Sequence, residues 1–115
     1  MRLAIVGSRE FENYDLVCAE VAKIQQTQNV DLIVSGGAKG ADTLAKKFAA
    51  RNRIRLMEFL PDYDRYGRGA PLQRNTLIVQ NSDVVLAFVA STSKGTWDTI
   101  RKARAARKKV IIINV

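Results

Sequence analysis

Five short, mainly apolar runs, separated by segments of helical periodicity, constrain this chain more than any other feature of its sequence. Such runs are typical of strands that are buried on both faces of a parallel sheet. The predicted strands are Leu3–Val6, Leu32–Val34, Arg55–Leu60, Val84–Val89 and Val110–Val115. A length of 115 residues fits one domain, residues 1–115. We therefore expect an α/β fold: a doubly wound, mainly parallel five-stranded sheet with helices on both faces.

The segments between these runs carry the apolar spacing of amphipathic helices. In the first, Val17, Val21 and Ile24 share one side. The predicted helices cover residues 14 to about 26, a segment from about 40 onward, 71 to about 80, and 96 to about 107. The polar, glycine-containing stretch from Pro61 to Pro71 predicts a loop.

Composition excludes several kinds of chemistry. The chain has no histidine, which rules out His-based triads and His-ligated zinc, and neither a metal site nor a cofactor is predicted. The single cysteine, Cys18, falls on the apolar side of the first helix and is expected to pack in the core. One cysteine, apolar runs too short to span a bilayer and no recognisable signal peptide favour a cytoplasmic protein without a membrane partner.

The chain is basic, with a formal net charge of +8. This charge favours anionic partners such as phosphates, nucleotides or nucleic acid, although a basic surface also serves solubility. Six of the nine residues from Arg101 to Lys109 are cations. That run fits either a solvated helix face or a nucleic-acid contact.

A glycine-rich loop, Ser35–Asp42, joins the second predicted strand to the second helix. Glycines there would let a phosphate approach the open amides at the helix start, with Lys39 as an added cation. The alternative is a tight turn, with Asp42 interacting with the helix dipole. Because one glycine suffices for a turn, we favour a phosphate-binding loop. Its predicted ligand-binding residues are Ser35, Gly36, Gly37, Lys39, Gly40 and Asp42.

Other predicted ligand contacts follow neighbouring strands at the same edge of the sheet. The segment Ser91–Thr99 repeats the pattern of amides and hydroxyls at a helix start, although Ser93 or Thr96 could simply cap that helix. Tyr63, Tyr66 and Trp97 are candidates for stacking on a base or for covering the core edge. The further ligand-binding candidates are Gly7, Ser8, Arg9, Arg74, Asn75, Ser93, Gly95 and Thr96.

Two nucleotide-binding fingerprints are absent. No GxGxxG follows the first strand, and no GxxxxGK[ST] occurs anywhere in the chain. These absences argue against NAD enzymes and P-loop NTPases.

Several ordered motifs resemble the SLOG superfamily, which includes DprA (Smf) and the LOG enzymes. They are IVGSREF, IVSGGAKGAD, the Pro71…Arg74-Asn75 segment, NSDVVLAF and SKGTWDTI. Within the superfamily, the chain is most similar to the small single-domain YspA-like branch. The resemblance implies a Rossmann-like domain that binds nucleotides or nucleotide-derived ligands, as a sensor or a processing domain.

The branches imply different activities. LOG enzymes cleave the N-glycosidic bond of nucleoside monophosphates through a PGGxGTxxE motif, but here the glutamate position is Thr99. If the chain keeps that hydrolase activity, Asp42 or Asp98 would have to supply the catalytic carboxylate. DprA binds single-stranded DNA, which makes nucleic-acid binding the other alternative. The resemblance also favours a homodimer.

Overall fold

A computed structural model describes all 115 residues, which form five strands and five helices. The strands are β1 (Arg2–Gly7), β2 (Leu32–Ser35), β3 (Arg55–Glu58), β4 (Val84–Val89) and β5 (Lys109–Asn114). The helices are α1 (Tyr14–Gln25), α2 (Ala41–Arg51), α3 (Tyr63–Tyr66), α4 (Ala70–Gln80) and α5 (Lys94–Ala105), with a 3₁₀ turn at Gly67–Gly69. No helix is both long and apolar enough to cross a membrane.

All strand pairs are parallel, and the strand order is β3-β2-β1-β4-β5. The chain moves outward from β1 to β3, then crosses to β4 on the other side of β1. The switch in strand order therefore lies between β1 and β4, where Gly7 is paired with Phe88. In doubly wound sheets, this is where the carboxyl ends of two strands open a crevice. The prediction of a doubly wound parallel sheet is confirmed.

Two apolar clusters cover the two faces of the sheet. On one face, α1 and α2 pack over Leu3, Ile5 and Ile33, and Cys18 lies against this cluster as predicted. On the other face, α4 and α5 pack over Ala4, Val6 and neighbouring residues of β4. Every residue of β4 is buried, because β4 lies inside the sheet with helices on both sides.

Three predicted elements differ from the structure. The predicted loop after Pro61 contains α3, a single turn whose first amides are capped by Asp62; its Oδ1 accepts from the Arg65 amide at 3.2 Å. A turn of four residues is too short to show an apolar stripe, so the spacing of apolar residues did not predict this helix. The third strand ends at Glu58 rather than Leu60, and its residues are mostly exposed because β3 is an edge strand. Helix α5 begins at Lys94 rather than Thr96, with Ser93 in the N-cap position.

At the amino edge of the sheet, Asp83 fixes the start of β1 next to the start of β4. Its carboxylate accepts hydrogen bonds from the Arg2 amide at 2.7 Å and from the Arg2 guanidinium at 3.0 Å. These bonds lower the pKa of Asp83 to about 2. Because folding lowers the pKa of Asp83, its ionised carboxylate stabilises the folded state at pH values above the ordinary pKa of an aspartate. This stabilisation is lost as the pH falls towards 2.

We expect Asp83→Asn to lower the free energy of unfolding at pH 7 by about 1 kcal/mol or less, the contribution of an exposed ion pair, and so to lower the melting temperature. The deficit should shrink as both proteins are acidified from pH 4 to pH 2, because wild-type Asp83 loses its charge there. Thermal melts across pH 2–7 measure this. Asp31→Asn is the control, since Asp31 pairs only with the terminal amine and is largely exposed. A deficit that stays constant over this pH range would contradict the assignment.

Candidate functional site

A cleft of about 390 Å³ lies at the switch point, beyond the carboxyl ends of β1 and β4. Its walls are the end of β1 and the residues after it, the start of α2, one side of α4 between residues 71 and 78, and residues 92–96 and 99 at the start of α5. A cleft of this size lies within the ordinary range for small-molecule sites. The fold thus brings three loops that are distant in sequence to one edge of the sheet.

Nine of the predicted site residues line this cleft: Gly7, Ser8, Arg9, Asp42, Arg74, Asn75, Ser93, Gly95 and Thr96. Six others do not: Ser35, Gly36, Gly37, Lys39, Gly40 and Asp98. The glycine-rich loop therefore contributes to the cleft mainly through Ala38 and Asp42. Of the predicted aromatic contacts, Tyr63, Tyr66 and Trp97 are exposed and lie outside the lining.

The glycines of the loop approach protein atoms closely, while the amides of Gly36, Gly37 and Gly40 donate to no protein acceptor, so a phosphate-binding role for the loop stays a prediction. Gly40 has φ = 72°, and a side chain there would overlap the backbone of Ser8 and Arg9. A methyl group on Gly36 would overlap the Arg74 guanidinium. This close packing lets the Ala41 amide donate to the Ser8 carbonyl at 3.1 Å. The glycines thus fix α2 against β1 and α4.

Helix α4 links the two sides of the cleft through Arg74 and Asn75. Arg74 Nη1 donates to the Gly36 carbonyl at 2.7 Å, and its Nε donates to Asn75 Oδ1 at 3.0 Å. Asn75, only 5% exposed, donates through Nδ2 to Gly95 O at 3.3 Å and to Asp98 Oδ2 at 3.1 Å. Both residues were predicted to orient a ligand directly. The structure shows that much of their hydrogen-bonding capacity instead holds the glycine-rich loop and α5 in place.

The two carboxylates considered for catalysis lie in different environments. Asp98 is held by Asn75 and by Lys102, whose Nζ is 2.9 Å away, and it does not line the cleft. Asp42 does line the cleft, and its Oδ2 accepts from the Ala38 amide at 3.0 Å. Of the two, only Asp42 is placed to contact a ligand in the cleft.

Burial raises the pKa of Asp42, an effect that the Ala38 amide and the Arg74 guanidinium partly oppose. The same burial lowers the pKa of Arg74, and the charge on Asp42 opposes that shift. Ser35 lies near this carboxylate; its hydroxyl is fully enclosed and makes no hydrogen bond of good geometry. Charged and polar groups whose burial is only partly compensated often mark functional sites.

Two open backbone donors of the cleft are adjacent at the start of α5. The amides of Gly95 and Thr96 donate to no protein acceptor. At the start of α2, by contrast, the Ala38 and Ala41 amides are already occupied, which leaves the Asp42 amide as the open donor in the lining. The hydroxyl of Ser93 accepts from the Ala90 amide at 3.0 Å and shapes the turn that presents these donors.

The sequence analysis missed four polar residues of the lining: Glu10, Thr92, Lys94 and Thr99. Lys94 and Thr92 belong to the loop that had been singled out, so the whole loop could have been included. Thr99 was noted only as the position of a glutamate in related enzymes. Helical spacing from Thr96 would have placed it on the same side of α5, three residues further on.

We expect Gly40→Ala to destabilise the protein by at least about 2 kcal/mol, because its backbone conformation suits only glycine and the added methyl overlaps Ser8 and Arg9. Gly95→Ala is the matched control: a methyl group there meets no atom within 4 Å. It should leave stability unchanged or raise it by up to about 1 kcal/mol. Urea denaturation of both variants measures the difference; equal stabilities would contradict this packing role for Gly40.

We expect Asp42→Asn to be at least as stable as the wild type at pH 7. A raised pKa means that the folded protein binds the Asp42 proton more tightly, so wild-type stability should fall as the pH rises through the folded pKa. Asparagine has no such charge and keeps an oxygen that can accept from the Ala38 amide. Melting temperatures from pH 4 to pH 7 test this.

Asp42→Ala is the control for that experiment, because it also removes the acceptor for the Ala38 amide. It should be less stable than Asp42→Asn at every pH. If the wild type instead became more stable relative to Asp42→Asn between pH 4 and pH 7, the pKa of Asp42 would be lowered by folding and the prediction would be wrong.

Comparison with a solved structure supports the fold. DNA processing protein A from Helicobacter pylori, whose structure describes a single-stranded DNA binding mode, aligns with a TM-score of 0.74 at 22% identity. The alignment covers 97% of this chain and 64% of that protein's chain, so this chain spans less than two thirds of its length. At this level of identity, the likeness shows the fold alone.

Sequence comparisons identify the family. The gene 61 protein of Mycobacterium phage D29 is 32% identical over an alignment of 117 positions, gaps included, which covers 96% of this chain and 94% of the phage protein. Residues 1–66, more than half of the chain, match the family described as YspA, cpYpsA-related SLOG. The parallel sheet, its switch-point cleft and these matches together show that this chain belongs to the YspA, cpYpsA-related SLOG family.

Proposed function

We propose that this protein binds a phosphate-bearing small molecule, a nucleotide or nucleotide derivative, in the switch-point cleft. The observation that carries the proposal is the pair of open amides, Gly95 and Thr96, at the start of a twelve-residue helix that lines the cleft. Such amides point along a helix dipole whose positive end favours an anion.

Cations around the cleft support an anionic ligand. Arg9 and Lys94 are exposed at its rim, and Arg74 lies partly buried in its wall. None of these three forms an ion pair within 4.0 Å, although the Asp42 carboxylate interacts with the charge of Arg74 at longer range. Glu10 and Asp42 are the carboxylates of the lining, and the pKa of Asp42 is raised by burial.

The remainder of the lining suits the less polar part of a nucleotide. Val6, Leu72 and Ile78 contribute apolar surface to the cleft, and half of the Leu72 surface is exposed. Tyr63 is exposed and lies close enough to Arg74 to act on the pKa of that arginine. An aromatic ring at this position can stack on a base that extends beyond the cleft. Asp98 does not line the cleft and is bound by Asn75 and Lys102, which leaves Asp42, of the two carboxylates considered for catalysis, as the one that a hydrolytic role could use.

Single-stranded DNA binding is the second candidate. It is favoured by the fold that the chain shares with DNA processing protein A and by the net charge of +8. Arg101, Arg104 and Arg107, at or just beyond the outer part of α5, are exposed and free of ion pairs. A strand bound there would contact mainly backbone phosphates, so its affinity would fall steeply with salt.

The two candidates predict different responses to matched charge removal. We expect AMP or ADP to raise the melting temperature of the wild type, since a ligand of the folded state stabilises it. Lys94→Gln and Arg9→Gln should each weaken nucleotide binding several-fold, whereas Arg104→Gln, which removes an equally exposed cation outside the cleft, should not. Calorimetric titration of the four proteins with AMP, ADP and an oligothymidylate measures this.

Oligothymidylate binding that depends on Arg104 and weakens with salt, without any response to AMP or ADP, would replace the first candidate with the second. An unchanged melting temperature with every probe would contradict both.

A further inference from the structure

Two threonines on α5 present free hydroxyl groups to the cleft. Thr99 is 2% exposed and Thr96 is 8% exposed, and both line the cleft. They are three residues apart on one helix, so their side chains lie on the same side, roughly 5–6 Å apart at Cβ. Neither hydroxyl makes a hydrogen bond with any protein atom. Each is therefore a buried threonine whose polar group has no partner in the protein.

Three threonines outside the cleft differ in this respect. The hydroxyls of Thr27, Thr43 and Thr76 donate to backbone carbonyls of nearby residues. Fully enclosed side-chain polar atoms without a partner are confined to Ser35 Oγ. The hydroxyls of Thr96 and Thr99 thus keep some open surface, and because both residues line the cleft, that surface faces it.

The surroundings of these hydroxyls favour an anion over a cation. They lie in the first two turns of α5, beside the open amides of Gly95 and Thr96, at the positive end of the helix dipole. The nearest carboxylate in sequence, Asp98, is occupied by Lys102 and Asn75. A hydroxyl in this field acts best as a donor to a negatively charged oxygen.

We propose that Thr96 and Thr99 form an oxyanion-recognition subsite, in which Thr99 determines specificity for phosphate-bearing ligands. This inference rests on the proposed function and extends it to residues that bind the phosphate oxygens. The two hydroxyls supply donors deeper along α5 than the first-turn amides reach. Arg9 and Lys94 supply charge at the rim, and Thr99 supplies a short, directional hydrogen bond inside the cleft.

Unpaired hydroxyls of this kind leave a signature in the free protein. The Thr99 hydroxyl makes no hydrogen bond within the protein, so its replacement by a methyl group of the same shape removes no interaction of the fold and should not destabilise it. Thr99→Val makes this replacement, while Thr99→Ser keeps the hydroxyl and removes the methyl group. A threonine that serves only the fold would behave in the opposite way, losing stability as valine.

The test is calorimetric titration of the wild type, Thr99→Val and Thr99→Ser with AMP, inorganic phosphate and adenosine, together with thermal melts of the free proteins. We expect Thr99→Val to weaken AMP and phosphate binding about tenfold or more, the effect of one hydrogen bond to a charged group. Adenosine binding should not change, and the melting temperature of the free variant should equal or exceed that of the wild type. Thr99→Ser should bind AMP within about threefold of the wild type.

Thr76→Val is the matched control, since its hydroxyl bonds to the Leu72 carbonyl at 3.3 Å within α4. It should keep wild-type affinity for AMP. Thr99→Val with wild-type affinity for AMP, with an equal loss for adenosine, or with a lower melting temperature overturns the subsite alone. A wild type that binds neither AMP nor phosphate overturns the proposed function and the subsite with it.

Discussion

The parallel pairing of β1 with β4 is the constraint on which the rest of this structure depends. It places Gly7 opposite Phe88 and lets the Ser8 amide donate to the Phe88 carbonyl at 2.9 Å. Residues 8–10 and 92–96, more than eighty positions apart, therefore leave the sheet side by side. The other parts of the cleft pack around these two segments. Strand β4, which supports one of them, is buried along its whole length.

The glycine-rich loop packs on the residues that directly follow β1. Gly40 allows the loop to touch the backbone of Ser8 and Arg9, and Gly36 leaves room for the Arg74 guanidinium. Arg74 and Asn75 then tie that loop to the start of α5 through three short hydrogen-bonded steps. The same two side chains of α4 therefore hold both sides of the cleft.

The cleft retains polar groups that folding alone does not explain. The Asp42 carboxylate is desolvated, the Arg74 guanidinium is half-buried, and Thr96 and Thr99 carry hydroxyls without partners. Each of these groups contributes less to the free energy of unfolding than a fully hydrogen-bonded group would, and all of them lie in the cleft. Such concentration is typical of sites where stability is balanced against binding. The apolar clusters on the two sheet faces supply the stability that tolerates it.

The sequence by itself determined the number of strands and their mainly parallel pairing, because a run buried on both faces must be apolar whatever its neighbours are. The order of the strands in the sheet came only from the structure. The sequence also located the three loops of the cleft, since parallel strands place their carboxyl ends at one edge. It could not decide which donors within those loops stay open. The Ala41 amide donates to the Ser8 carbonyl, a residue distant in sequence. The Asp98 carboxylate accepts from Asn75 on another helix and pairs with Lys102. Only the tertiary structure decided that Gly36 and Gly40 pack against neighbouring elements and which amides stay open, because hydrogen-bond partners are determined by proximity in space.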